Sequence, residues 1–174
     1  MRDLPPQPLP GLPGLLGITL IEASADRVEA VLTVGPEHLA PTGYLHAACV
    51  VALADTTCGY GCLAALPVGK VGFTTIELKS NHLATAPLGE QLRAVATPVH
   101  GGRTTQVWDA IVTAAATGDQ GHRRQIAVFR CTQMLLERKP STPKRCCSES
   151  FDAHDHPGRR ASARAETKSR YPRS

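Results

Sequence analysis

Asp55 is the one formally charged side chain between His38 and Gly69, set in a run of Ala, Val, Cys, Leu and Gly built for burial. Held away from water, a carboxyl group gives up its proton less readily, and its anion becomes a stronger base or nucleophile. That makes Asp55 a candidate for catalysis, weighed against a hydrogen-bonding role inside a helix. His46 lies nine positions earlier. On a helix that spacing is about 900° of rotation and about 13 Å of rise, so the two side chains face opposite ways. If both serve one site, it joins the amino end of one helix to the middle of another, and the spacing predicts a dimer.

The element that must position them is a helix starting near His46 and running not much past Leu66. Ala47, Ala48, Val50, Val51, Leu53 and Ala54 make it apolar nearly all the way round, as expected of a helix wrapped by other elements. Gly59, Gly61, Pro67 and Gly69 weigh against a longer one. A membrane span is disfavoured, because the run holds few Leu and is surrounded by strand patterns.

Before the helix, Gly17–Ala23 and Arg27–Val34 read as a hairpin, with Val28, Ala30, Leu32 and Val34 on one face. After it come four period-two stretches: Gly72–Leu83, Glu90–Val99, Thr104–Ala115 and Arg124–Leu136. They are separated by turns at Ala86–Gly89, His100–Arg103 and Thr117–Gly121. Pro98 implies an edge or a bulge in its strand. The order is two strands, one helix and four strands, so an α+β fold is expected in which an antiparallel sheet wraps one central helix.

The 174 residues suffice for one domain with a real core. The net charge of +4 is unevenly spread. Residues 138–174 hold ten Lys or Arg against four Asp or Glu, leaving nine against eleven for residues 1–137, so the body is mildly acidic. Aromatic residues make up 4% of the chain, which argues against a base-stacking nucleic-acid module. Residues 1–13 form a Pro-rich arm, 14–137 the domain, and 138–174 a basic tail expected to be disordered. The six cysteines show no zinc-ribbon spacing and imply no disulfide; Cys146, Cys147, His154 and His156 are a poor metal set. The amino terminus lacks the continuous apolar stretch of a signal peptide, so a cytoplasmic setting is the expectation.

The segment GYLHAACVVALADTTCGYGC resembles the helix signature of hotdog-fold acyl-CoA thioesterases of the phenylacetic-acid-degradation (PaaI) type. Their pattern is G-x-x-H-G-G followed by a small-residue helix with L-x-D/E near its middle. Gly43, His46, Leu53 and Asp55 match in register, and FTTIELKSNHLATAPLGEQLRAVATPVHGGRTTQVWD looks like that family's third to fifth strands. The resemblance covers roughly residues 14–137. It implies a hotdog fold, a homodimer that can pair into a tetramer, and hydrolysis of small or aryl acyl-CoA thioesters with no cofactor and no metal. Asp55 would act as general base or nucleophile. His46 would orient substrate or organise the helix entry, and the partner's Ala47 N–H would face the carbonyl oxygen as charge develops on it. Thr74 is chosen to hold the water or the carboxylate; Gly43, Ala48, Thr75 and Arg103 would line the substrate, Arg103 meeting CoA phosphates.

Two departures stand out. The family's two glycines are Ala47 and Ala48 here, and a frequent asparagine six residues before the histidine is Ala40. The competing reading is a non-catalytic hotdog domain that binds acyl-CoA as a sensor or partner. A hotdog hydratase is disfavoured, since no second carboxylate pairs with His46.

Overall fold

The computed structural model describes residues 9–114 and 123–138. The first eight residues of the arm, the Thr117–Gly121 turn and all but the first residue of the basic tail, with Cys146, Cys147, His154 and His156, lie outside the described residues. A short helix α1 (Leu12–Leu15) is followed by β1 (Thr19–Ala23), β2 (Val28–Thr33), a 3-10 turn at Pro36–His38, and the long helix α2 (Ala47–Ala64). Then come β3 (Lys70–His82), β4 (Gln91–Gly101), β5 (Thr105–Ala114) and β6 (Gln125–Glu137).

The β1–β2 hairpin closes where expected. Ser24 Oγ accepts the Arg27 N–H and donates to the Arg27 carbonyl, an arrangement in which a short side chain replaces a backbone partner. All pairings are antiparallel, and the spatial order is β1-β2-β4-β5-β6-β3. After α2 the chain therefore lands at the far edge of the sheet and crosses back to place β4 beside β2. Pro98 sits at a register shift of β4, beyond Ala96, where the pairing of β4 with β2 stops. Its missing N–H thus costs no ladder bond. The strand continues through His100 and Gly101, so the turn after it is shorter than the HGGR reading, with Gly102 N–H donating to Thr105 O at 2.9 Å.

The core forms where period-two strand faces meet α2. Leu32, Leu92, Ala94, Ala96, Trp108, Ala110, Val112, Phe129 and Cys131 from the sheet are buried together with Val50, Leu53, Ala54, Cys58 and Cys62 from the helix. Burying each large side chain of this set stabilises the fold by about 1.5–3 kcal/mol. The small residues of α2 let the sheet come close. A Cβ at Gly61 would lie 2.5 Å from the Trp108 ring, so glycine there is what admits the indole. Trp108 Nε1 donates to Gln106 Oε1 at 2.8 Å, and Gln106 Nε2 donates to Ala65 O at 3.0 Å, which ties the helix end to β5.

The helix differs from its expectation in one respect. Its apolar surface runs nearly all round, but the sheet of a single chain buries one side. Val51, Ala52, Asp55, Thr56 and Tyr60 are only half-buried, and Ala47, Ala48 and Leu63 are exposed. Among these half-buried residues Asp55 is the one bonded to β3.

Candidate active site

Asp55 stands at the middle of α2, half-buried, and its Oδ1 accepts a hydrogen bond of 3.1 Å from Thr75 Oγ1 on β3. Burial pushes its carboxyl above the ordinary value, and the Thr75 hydroxyl offsets part of that by favouring the anion. No Lys or Arg pairs with it among the described residues. A carboxylate in this state is retained as a base, because nothing nearby neutralises it.

Thr75, and not the expected Thr74, meets the Asp55 carboxylate. Side chains alternate along a strand, and β3 enters with Phe73 and Thr75 toward α2. Thr74 is exposed on the other face, opposite Met134 of β6. Two adjacent threonines cannot be told apart until the pleat is phased against the helix. A bulge between Thr75 and Glu77 breaks the alternation next to the site, as bulges near active sites often do.

His46 caps α2. Its backbone is extended, and its Nδ1 accepts the Ala48 N–H at 3.0 Å. Histidine is not among the usual capping residues, which is why no capping signal was visible in sequence. The cap occupies the Ala48 N–H and so removes it as a donor to substrate. The Ala47 N–H, by contrast, meets no acceptor among the described residues. It sits at the positive end of the helix dipole, on an exposed surface. Gly43 has φ of 81° and its N–H donates to Ala40 O, so it serves the turn that delivers the chain to the helix.

One contributor had no sequence signal. His38, buried in the loop before α2, accepts the Gly35 N–H on Nδ1 at 2.8 Å, and its carbonyl accepts the His46 N–H at 2.8 Å. It fixes the entry from which the helix amino end is aimed. Arg103 is exposed in the β4–β5 turn and is not gathered with Asp55.

Two of the buried thiols on α2, Cys58 and Cys62, are poor nucleophiles at neutral pH. Contact with Cys131, together with burial, raises the Cys58 thiol far above neutrality, and burial beside Cys131 pushes Cys62 up to about 11. Among the described residues no three His, Cys, Asp or Glu side chains are placed to hold a metal ion. A crevice of about 240 Å³ on the outer face of the sheet, lined by Lys79, Asn81, Asp109, Val128, Phe129 and Arg130, lies across the sheet from Asp55. Arg130 there is already paired with Asp109 through two bonds of 2.6 and 2.7 Å.

Among the described residues, one long helix on a six-stranded antiparallel sheet, with a carboxylate at mid-helix, makes the hotdog arrangement, and comparison with known proteins agrees. Residues 42–119 match the model of the thioesterase superfamily. ComA2 of Bacillus subtilis, an esterase by name, is 32% identical over 123 residues, covering 71% of this chain and 92% of that protein. The 1,4-dihydroxy-2-naphthoyl-CoA hydrolase of Listeria monocytogenes is 28% identical over 129 residues, covering 74% and 98%. Among solved structures, thioesterase HI1161 of Haemophilus influenzae superposes with a TM-score of 0.63 at 26% identity, covering 74% and 84%. The chain belongs to the thioesterase superfamily, with the hotdog fold. Superfamily membership and relatives named as esterase or hydrolase support a hydrolase.

Proposed function

We propose that this protein is an acyl-CoA thioesterase of the PaaI-like type, hydrolysing small or aryl acyl-CoA thioesters to the free acid and CoA. The observation that carries this reading is Asp55, made basic by burial and held by the Thr75 hydroxyl on an otherwise uncharged helix. In the hydrolysis, Asp55 takes a proton from water as that water attacks the thioester carbon; the C–S bond then breaks and the CoA thiolate leaves with that proton. Alternatively, Asp55 attacks the carbon itself and the C–S bond breaks with CoA leaving as the thiolate; water then cleaves the mixed anhydride to the free acid, its proton going to the thiolate. The negative charge that develops on the carbonyl oxygen is met by the Ala47 N–H at the amino end of a helix.

One chain does not hold both halves, since Ala47 and Asp55 are eight residues, about 12 Å, apart on the same helix. The second half comes from a second copy. Support lies in β3, a 13-residue strand at the sheet edge, with Val71, Ile76 and Leu78 exposed along it. An edge of this length with apolar side chains pairs readily with another strand. Pairing two β3 edges places the open side of each α2 at the seam. The aryl preference is supported by the aromatic acyl group in the name of the Listeria relative.

The test is release of free CoA from a panel of acetyl-, benzoyl- and octanoyl-CoA, with the oligomeric state measured in parallel. Hydrolysis that disappears in Asp55→Asn while CoA-ester binding persists is the expected result. Binding of the esters with no hydrolysis by the natural protein overturns the reading in favour of an acyl-CoA binding module.

A further inference from the structure

The seam between α2 and β3 has two rungs. The first is polar, Asp55 on the helix and Thr75 on the strand. The second lies one helical turn on, where Gly59 faces Phe73. Four residues along a helix amount to about 6 Å and a rotation of about 40°, so Gly59 follows Asp55 on the same side. Two residues along a strand amount to about 7 Å on one face, so Phe73 flanks Thr75. The ring packs against bare helix backbone: a Cβ at Gly59 would lie 2.8 Å from Phe73 Cζ. Phe73 is only half-buried, and so is the neighbouring Tyr60.

Resting on the thioesterase reading, we infer that Phe73 is the acyl-side wall of the site and that Gly59 sets where that wall stands. A thioester carbon placed at the first rung puts one of its two substituents at the second. The second rung offers an aromatic face and a helix backbone whose polar groups are already paired within the helix. Neither Phe73 nor Gly59 has a side-chain donor or acceptor for the amides of the pantetheine arm, whereas an apolar acyl group loses nothing against them. The ring also bridges helix and strand and plugs the seam between them. A long alkyl chain cannot thread past it, while a flat aryl or a short acyl group can lie against it in an offset or edge-on arrangement. The substrate class this selects is aryl or short-chain acyl-CoA.

Two substitutions move the wall in opposite directions. Phe73→Ala removes the plug, and kcat/KM for octanoyl-CoA relative to benzoyl-CoA is expected to rise by about tenfold or more. Gly59→Ala forces the ring away from the helix and into the space of the acyl group, and kcat/KM for benzoyl-CoA relative to acetyl-CoA is expected to fall. Phe73→Leu, which keeps most of the volume, falls between the natural protein and Phe73→Ala, and carries the measurement if the alanine variant does not fold. Unchanged ratios in these variants overturn the inference. So does an equal change for all three esters, which would put the ring along the CoA arm. If the natural protein hydrolyses none of the three, the thioesterase reading itself fails, and the inference falls with it.

Discussion

Two carboxylates show how differently this small protein treats the same chemical group. Glu29, on the outer face of β2, is 8% exposed and gripped by Arg93 and Arg27. The hydrogen bond from Arg93 comes first among the causes that hold its carboxyl below the ordinary range. Asp55, in the α2–β3 seam, has one neutral hydroxyl as partner and is pushed the other way by burial. Glu29 has its charge answered by two cations and acts as a fastening between β2 and β4. The charge of Asp55 is left unanswered, which costs stability and leaves a base available.

Kinetics should separate the two most widely. Asp55→Asn is expected to lower kcat by about 10²–10⁴-fold, the range for a positioned general base, while Glu29→Gln leaves kcat within about twofold. Equal losses in a CoA-release assay would erase the contrast. The next effect concerns the pleat. Thr75→Val removes the bond that favours the Asp55 anion, so its pKa rises further and the acid limb of the pH–kcat/KM profile moves to higher pH, with kcat down about tenfold. Thr74→Val, on the other face, leaves the profile in place.

Stability should respond with opposite signs. The folded pKa of Asp55 lies above its unfolded value, so its contribution is fully present below the unfolded value and is lost as pH rises through the folded one. Asp55→Asn is therefore expected to raise Tm at pH 7, with the gain disappearing at acid pH. The folded pKa of Glu29 lies below its unfolded value, so its contribution is present above the unfolded value and is lost as pH falls through the folded one. Glu29→Gln should lower Tm at pH 7, by the equivalent of about 1–2 kcal/mol, with the deficit closing in acid. Thermal melts of both variants from pH 3 to 8 read the two signs. The smallest effect is expected at the surface: Arg103→Ala should raise KM for CoA esters about threefold, and less at high salt, with kcat unchanged.

The order of elements, the helix with its start at His46, and the isolation of Asp55 were legible because they rest on local patterns. A run with one charge, glycines at its end and the alternation in Val28–Val34 are properties of neighbours in sequence. Spacing alone also showed that His46 and Asp55 cannot meet on one helix, since the geometry of a helix is independent of what surrounds it.

The tertiary structure decided what depends on phase and proximity between distant segments. Whether Thr74 or Thr75 meets Asp55 turns on how β3 is registered against a helix about twenty residues earlier in the chain. The capping by His46, the anchoring by His38 and the contact of Phe73 with Gly59 arise only once α2 is laid across the sheet. Periodicity fixes which side chains share a face; which face looks at the carboxylate is settled by packing, because the same alternating strand shifted by one residue presents the opposite set.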